Sequence, residues 1–197
     1  MIDLLQIPGF LDAETVAAVL DELRAAAGAP ATVLSDQAQG TVRGSVRRTT
    51  RVALPADSRD RISRRLMERK PELEAHFGVA LGTCEEPQSL RYETGDFFVA
   101  HQDGNTPLVY DQSRFRRISV VLFLSTPSEV EVPGTYGGGA LVFHGPFSQP
   151  NLRVPVAPAP GTLVAFRAET THEVLPVTHG ERYTVVSWFR APEADPA

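Results

Sequence analysis

Two of the five histidines in this sequence stand where a metal ion could be held. In His101-Gln102-Asp103 an imidazole and a carboxylate lie two residues apart, at the end of a strand-like run from Phe97 to Gln102. Alternate residues of a strand point to the same side, so both groups can reach one ion. His172 opens another strand-like run and supplies a second imidazole. Two imidazoles and one carboxylate cap one face of an octahedral ion and leave three positions open, the donor set of non-haem Fe(II) sites. Thr178-His179-Gly180-Glu181 reads as a turn, after which Arg182 begins a returning strand. An arginine fork suits a carboxylate because it donates two parallel hydrogen bonds. At ~3.3 Å per residue along the hairpin, a long side chain at 182 can point back toward an acid bound at the ion. Thr184 shares the strand face of Arg182 and adds a hydroxyl.

The other histidines read differently. His144 follows a strand and belongs to a loop or rim, His179 is solvated in its turn, and His76 lies on the surface of a helix. Cys84, the only cysteine, is a small buried hydrophobe with no feature of a nucleophile beside it. Tyr136-Gly137-Gly138-Gly139 is not a phosphate loop, since no Gly-Lys-Ser/Thr follows.

The elements that must position these groups fall into two regions. Asp12 can cap a helix over 13–27, with Val16, Val19, Leu20 and Leu23 as its apolar stripe and Gly28 as its stop. A second helix spans 58–77 through Ile62, Leu66, Leu73 and Phe77, and Pro71 should kink or restart it. Beyond Gly82 come short runs bounded by Gly or Pro: 89–92, 97–102, 117–124, 140–143, 152–156, 162–166, 172–177 and 182–189. Such spacing predicts a β-sandwich or barrel with the helices covering one sheet face. Pro155 to Pro160 reads as a rigid approach to the next strand rather than a polyproline ligand.

A chain of 197 residues fits one domain. Its 42% hydrophobic and 22% charged residues are ordinary globular composition, which excludes disorder, collagen and coiled coil. A single cysteine excludes an internal disulfide and any Cys-rich metal site. Residues 1–10 lack a basic leader and are broken by Pro8-Gly9, and no apolar run is long enough to span a membrane. The expectation is a soluble, cytoplasmic protein without membrane contacts. The net charge is −5, yet residues 43–70 hold ten basic and three acidic residues. That stretch reads as a solvated helix face before it reads as a nucleic-acid footprint.

Taken together, these pieces resemble the Fe(II)/2-oxoglutarate dioxygenases of the prolyl 4-hydroxylase type. The matching segments are Arg91-Tyr92-Glu93-Thr94-Gly95-Asp96-Phe97-Phe98, His101-Gln102-Asp103 and Arg116-Arg117-Ile118-Ser119. They continue through Gly138-Gly139-Ala140-Leu141, Pro160-Gly161-Thr162-Leu163-Val164-Ala165-Phe166, His172-Glu173-Val174, and Arg182-Tyr183-Thr184 to Trp188. The resemblance implies a mainly β domain over residues 1–197, with helical support over about 1–80 and a double-stranded β-helix (jelly roll) over about 85–190. It implies that His101, Asp103 and His172 hold Fe(II), and that Arg182 binds the far carboxylate of 2-oxoglutarate with help from Tyr92 and Thr184. Trp188 is expected to line the substrate pocket, with Arg47 and Arg48 on a substrate loop over 40–54 that also holds Arg43 and Arg51. O2 is the co-substrate, ascorbate a reductant, and succinate and CO2 the products. No catalytic residue beyond the ligands is required. The implied reaction is hydroxylation of a C–H bond on a protein or peptide side chain, with proline leading.

Two departures stand out. Relatives often place a Tyr on the central strand for the far carboxylate, where this sequence has Phe123; Tyr92, Thr184 or a water must then substitute. The segment from Phe143 to Leu152 is longer than a minimal turn, which suggests an altered pocket rim. The competing readings are an oxygenase of nucleic acid or of a small molecule, a metal cupin that is no oxygenase, and a silent jelly-roll binding module. Repair enzymes usually carry a second Arg six residues after the first, and here that position is Trp188.

Overall fold

The computed structural model describes residues 2–31, 44–106, 111–146 and 148–192. Strand β1 (Leu4–Ile7) leads into α1 (Ala13–Ala25). Three short strands follow, β2 (Gly28–Pro30), β3 (Arg47–Arg48) and β4 (Thr50–Val52), and then α2 (Ala56–Phe77). Next come β5 (Gln88–Tyr92), β6 (Phe97–His101), a 3-10 turn at Gln112–Phe115, β7 (Arg116–Phe123) and β8 (Thr126–Pro127). The chain continues through β9 (Thr135–Gly138), β10 (Leu141–His144), β11 (Arg153–Val156) and β12 (Leu163–Arg167). Strands β13 (His172–Val174), β14 (Val177–Gly180) and β15 (Arg182–Arg190) complete it.

The strands form a seven-stranded sheet, β1-β12-β7-β15-β5-β4-β2, and a five-stranded sheet, β11-β10-β13-β6-β3, with a small third sheet, β14-β9-β8. This is the mainly β jelly roll expected, with two helices packed on the larger sheet. Period-two alternation divides the core. Ile118, Val120 and Leu122 of β7, Leu163 and Ala165 of β12, and Tyr183, Val185 and Phe189 of β15 face Val16, Val19 and Leu23 of α1 and Ile62, Leu66 and Leu73 of α2. The intervening residues Val121, Phe123, Val164 and Phe166 join Leu90, Tyr92, Leu141, Phe143 and Val174 in a second core between the sheets. The functional side chains come from this second interior.

Several expectations need correction. Helix α1 starts as predicted, with the Asp12 carboxylate accepting from Thr15 N at 2.8 Å. It stops at Ala25, because Gly28 is already paired with Val52 in the sheet. Helix α2 runs unbroken through Pro71. Pro71 and Met67 are both exposed, so the Met67 carbonyl freed by the missing N–H can turn to water. The first 80 residues are not helical support alone, since β1, β2 and β4 extend the larger sheet and β3 edges the smaller one. Thr178 to Gly180 is not a turn but part of β14, paired with β9. Consequently β15 does not return along β13. It pairs with β5 and β7 in the opposite sheet. Pro176, which has no N–H to extend β13, and Gly180, at φ +69°, redirect the chain between the sheets.

Candidate metal centre

His101 ends β6 and His172 opens β13, and the two are directly paired across the antiparallel ladder. That pairing, rather than sequence proximity, puts their rings 4.2 Å apart between centroids. Asp103 follows β6 by two residues. Its backbone N–H donates to Ala168 O at 2.9 Å, and its carbonyl accepts from Arg116 Nη1 at 3.1 Å. Its carboxylate oxygens lie 3.6 Å from His101 Nε2 and 3.6 Å from His172 Nε2. The ligand atoms of all three residues fall within 4.8 Å of one another, and among the described residues no other such group of three occurs.

The donors fit a divalent metal. His101 Nδ1 lies 2.8 Å from Val99 O, and His172 Nδ1 lies 2.9 Å from Thr170 O. A carbonyl only accepts, so each Nδ1 carries the hydrogen and each Nε2 presents its lone pair to the common centre. Phe98 stacks on His101 with centroids 3.6 Å apart, and Phe166 meets His172 edge-on at 4.7 Å. Burial, reinforced by the neighbouring His101, pushes His172 down to about 4, so it is a neutral ligand at ordinary pH. For Asp103 burial opposes the charged form, but His172, His101 and the Ser119 hydroxyl outweigh it and hold the carboxyl well below the usual range. The Asp103 carboxylate and the neutral His172 imidazole are thus ready as ligands without a proton having to leave either of them.

His172 makes metal-free stability depend on pH. Its folded value of about 4 lies below the unfolded 6.5. The unfolded chain therefore takes up the proton first, and stability falls as pH drops from 6.5 toward 4. The full loss is about 3 kcal/mol at ~1.4 kcal/mol per pKa unit. Urea melts of metal-free protein across this range should show the decline, and His172→Gln should flatten it. Identical pH profiles for the two proteins would remove His172 from this role.

Arg182 sits at the start of β15, directly opposite Tyr92 of β5. It is 1% exposed. Its guanidinium carbon lies 5.1 Å from the centroid of the Tyr92 ring and 5.1 Å from that of Phe123. Neither Nε nor Nη2 has a hydrogen-bond partner among the described residues. Thr184, also 1% exposed, lies on the same strand face between Leu90 and Phe123. The structure therefore gathers Tyr92, Thr184 and Arg182, but in the sheet facing the His172 strand rather than along a hairpin with it.

The remaining expected residues are spread around this interior. Trp188, opposite Ser119, is covered by the Arg116 guanidinium at 3.7 Å from its ring centroid. Arg116 in turn holds Glu85 with two bonds of 2.8 and 2.7 Å. Arg47 and Arg48 form β3 beside β6. Arg47 lies over Phe98 at 4.7 Å, which places it one ring away from His101, while Arg48 pairs with Asp96 at 3.3 Å. Arg51 is in β4, and the residues at 40–43, Arg43 among them, lie outside the described residues. His144 bonds Glu173 at 3.2 Å, and His76 bonds Asp3 at 3.0 Å. His179 is not in a turn: it lies half-buried in β14 against Gly137, with Nε2 buried. Burial pushes the Cys84 thiol up to about 12, with a Ser187 contact opposing it, so it stays an inert thiol. One residue was missed. Tyr136, 0% exposed on the central strand of the third sheet, reaches the surroundings of Arg182.

Comparison with known proteins agrees with this geometry. The chain is 30% identical over 158 residues to a PKHD-type hydroxylase of Maricaulis maris, covering 77% of this chain and 65% of that protein. It spans 44% of another curated relative, so it accounts for less than two thirds of the length of either. A Pseudomonas putida prolyl-4-hydroxylase superposes with a TM-score of 0.71 at 25% identity, over 97% of this chain and 94% of that one. A Trichoplax adhaerens prolyl hydroxylase, solved with a hypoxia inducible factor peptide fragment, superposes with a TM-score of 0.72 at 16% identity, over 98% and 86%. The family model of the 2OG-Fe(II) oxygenase superfamily matches residues 87–190, the stretch that contains the three ligands and Arg182. As that stretch is more than half of the sequence, the chain belongs to the 2OG-Fe(II) oxygenase superfamily.

Proposed function

We propose that the chain is a 2-oxoglutarate- and O2-dependent hydroxylase of a C–H bond on a peptidyl side chain, with proline the leading substrate. The observation that carries this reading is the buried Arg182 guanidinium, whose Nε and Nη2 have no protein partner, in the same jelly-roll interior as His101, Asp103 and His172. An unpaired buried charge costs several kcal/mol. Two aromatic faces offset only part of that cost. The cation is thus held ready for an anion from outside, and a 2-oxo dicarboxylate brings one carboxylate for the metal and another for Arg182. A cupin that binds no such acid has no use for this arginine.

Fe(II), when bound, would supply chelation of the 2-oxo acid and activation of O2, in a reaction that yields succinate, CO2 and a hydroxylated substrate. The chain's own part is positioning. His101 and His172 present Nε2 because backbone carbonyls hold Nδ1. Asp103 supplies the negative charge, and Arg182 fixes the far end of the acid. Tyr92, Phe123 and Phe166 keep the interior dry, which strengthens each of these interactions. Trp188, Arg47 and Arg48 are proposed as substrate contacts. Prolyl hydroxylases among the similar structures, one of them solved with a peptide, favour a peptide substrate. Ascorbate is proposed as the reductant that keeps the iron ferrous.

The test is an anaerobic titration with Fe(II) and then 2-oxoglutarate, watching for the visible metal-to-ligand charge-transfer band. Proline-containing peptides and air follow, with succinate and oxygen incorporation into peptide measured by mass. A band followed by peptide-dependent succinate supports the reading. Bound iron with no band overturns it in favour of a cupin that does not use this acid.

A further inference from the structure

The proposed function leaves the deep end of the cofactor pocket short of one donor, because Phe123 occupies the central-strand position at which a Tyr is expected. The third sheet supplies a replacement. Tyr136 is fully buried beside Arg182, and no acceptor among the described residues takes its hydroxyl hydrogen. Its nearest charged neighbour is Arg182. Gly139 shows how closely the two side chains approach. A Cβ added there would stand 2.9 Å from Arg182 Cδ and 3.3 Å from Tyr136 Cε2. The bare Gly139 backbone, at φ +59°, therefore forms the floor on which the arginine stem and the tyrosine ring lie side by side.

Three buried donors are unsatisfied in this one place: Arg182 Nε, Arg182 Nη2 and Tyr136 Oη–H. Buried polar groups in native proteins almost always find partners, so three together mark a position for an acceptor. Nε and Nη2 form the edge of the guanidinium that grips a carboxylate with two parallel bonds. A carboxylate has about four acceptor sites, which leaves room for a third donor. Burial raises the Tyr136 phenol despite the opposing pull of Arg182, so the hydroxyl keeps its proton to donate.

We infer that Tyr136 donates the third hydrogen bond to the distal carboxylate held by Arg182, replacing from β9 the hydroxyl that Phe123 does not provide from β7. This inference rests on the 2-oxoglutarate reading. It makes Tyr136 a residue that selects 2-oxo acids carrying a second carboxylate.

The test titrates anaerobic, Fe(II)-loaded protein with 2-oxoglutarate and reads the charge-transfer band. Tyr136→Phe should raise the dissociation constant about 10- to 100-fold, the range for one hydrogen bond to a charged group. Its Fe(II) affinity should be unchanged. 2-Oxobutyrate chelates in the same way but has no distal carboxylate, so wild type and Tyr136→Phe should bind it equally. Metal-free Tyr136→Phe should melt no lower than wild type, because no acceptor among the described residues takes the hydroxyl hydrogen. Adding Phe123→Tyr to Tyr136→Phe returns a hydroxyl from the opposite wall and should recover most of the affinity. Unchanged 2-oxoglutarate affinity in Tyr136→Phe, alongside a wild type that binds normally, overturns this inference and leaves the proposed function standing. Equal weakening toward 2-oxobutyrate also overturns it, since Tyr136 would then be shaping the pocket in general. A wild type that gives no band overturns both readings.

Discussion

Asp103→Ala should abolish iron-dependent turnover. Asp103 is the only charged donor of the three, and its oxygens lie 3.6 Å from both imidazole Nε2 atoms. Loss of a partner merely behind a ligand costs roughly 10- to 100-fold in metal affinity, so loss of this ligand should cost about 1,000-fold or more. The fold should survive. Asp103 follows β6, and its backbone contacts to Ala168 and Arg116 do not use the carboxylate. Iron binding by equilibrium dialysis, circular dichroism and succinate formation would be measured together. Wild-type succinate formation by a folded Asp103→Ala protein would falsify the triad.

Arg182→Met should separate cofactor binding from iron binding. Truncating one side of a buried, hydrogen-bonded charge pair costs about 2–5 kcal/mol, which corresponds to roughly 30-fold up to a few thousand-fold in 2-oxoglutarate affinity. Fe(II) affinity should stay within a factor of about two, because Arg182 belongs to the sheet facing the His172 strand. Stability should move the other way. In the metal-free protein the guanidinium is buried with two unsatisfied nitrogens. Replacing a buried charge with an apolar side chain of similar length is often neutral or stabilising, by about 1–4 kcal/mol. Metal-free Arg182→Met should therefore melt at or above the wild-type temperature. A variant that melts far lower and binds 2-oxoglutarate normally would make Arg182 a structural residue.

The His101 and Asp103 pair was legible because its information is local, whereas His172 joins it only through the long-range pairing of β13 with β6. The spacing of His101 and Asp103 is one strand period, and Arg, His and Asp announce their chemistry by type. The third sheet was not legible. Strands β8, β9 and β14 have two to four residues, are rich in Gly and Thr, and exist only through pairing with one another. Without them Thr178-His179-Gly180 had the composition of a turn, and a hairpin was the natural but mistaken way to bring Arg182 to the metal. Tyr136 was missed for the same reason. Its run was weighed only as a phosphate loop, although a Tyr ahead of three Gly, in a chain with Phe123 on the central strand, was the available signal. Pro71 misled because propensity does not record whether the freed carbonyl faces water. Leu4 to Ile7 gave no strand signal because four mainly apolar residues carry too little periodicity, and their role as an edge beside β12 is a long-range pairing.

Strand β15 gives the fold a parity constraint. Arg182, Thr184, Val186 and Trp188 look into the pocket, while Tyr183, Val185 and Phe189 are keyed into the helices behind it. One ribbon is therefore read on two sides at once, and a slip by a single residue would exchange the two messages. The arginine would be driven into the helical core, and the Tyr183 phenol would be left where the acid belongs. Sequence drift between Arg182 and Trp188 is thus confined to substitutions and to paired insertions or deletions that preserve even spacing. Odd changes of length must be absorbed elsewhere, in the connections that carry no such two-sided register.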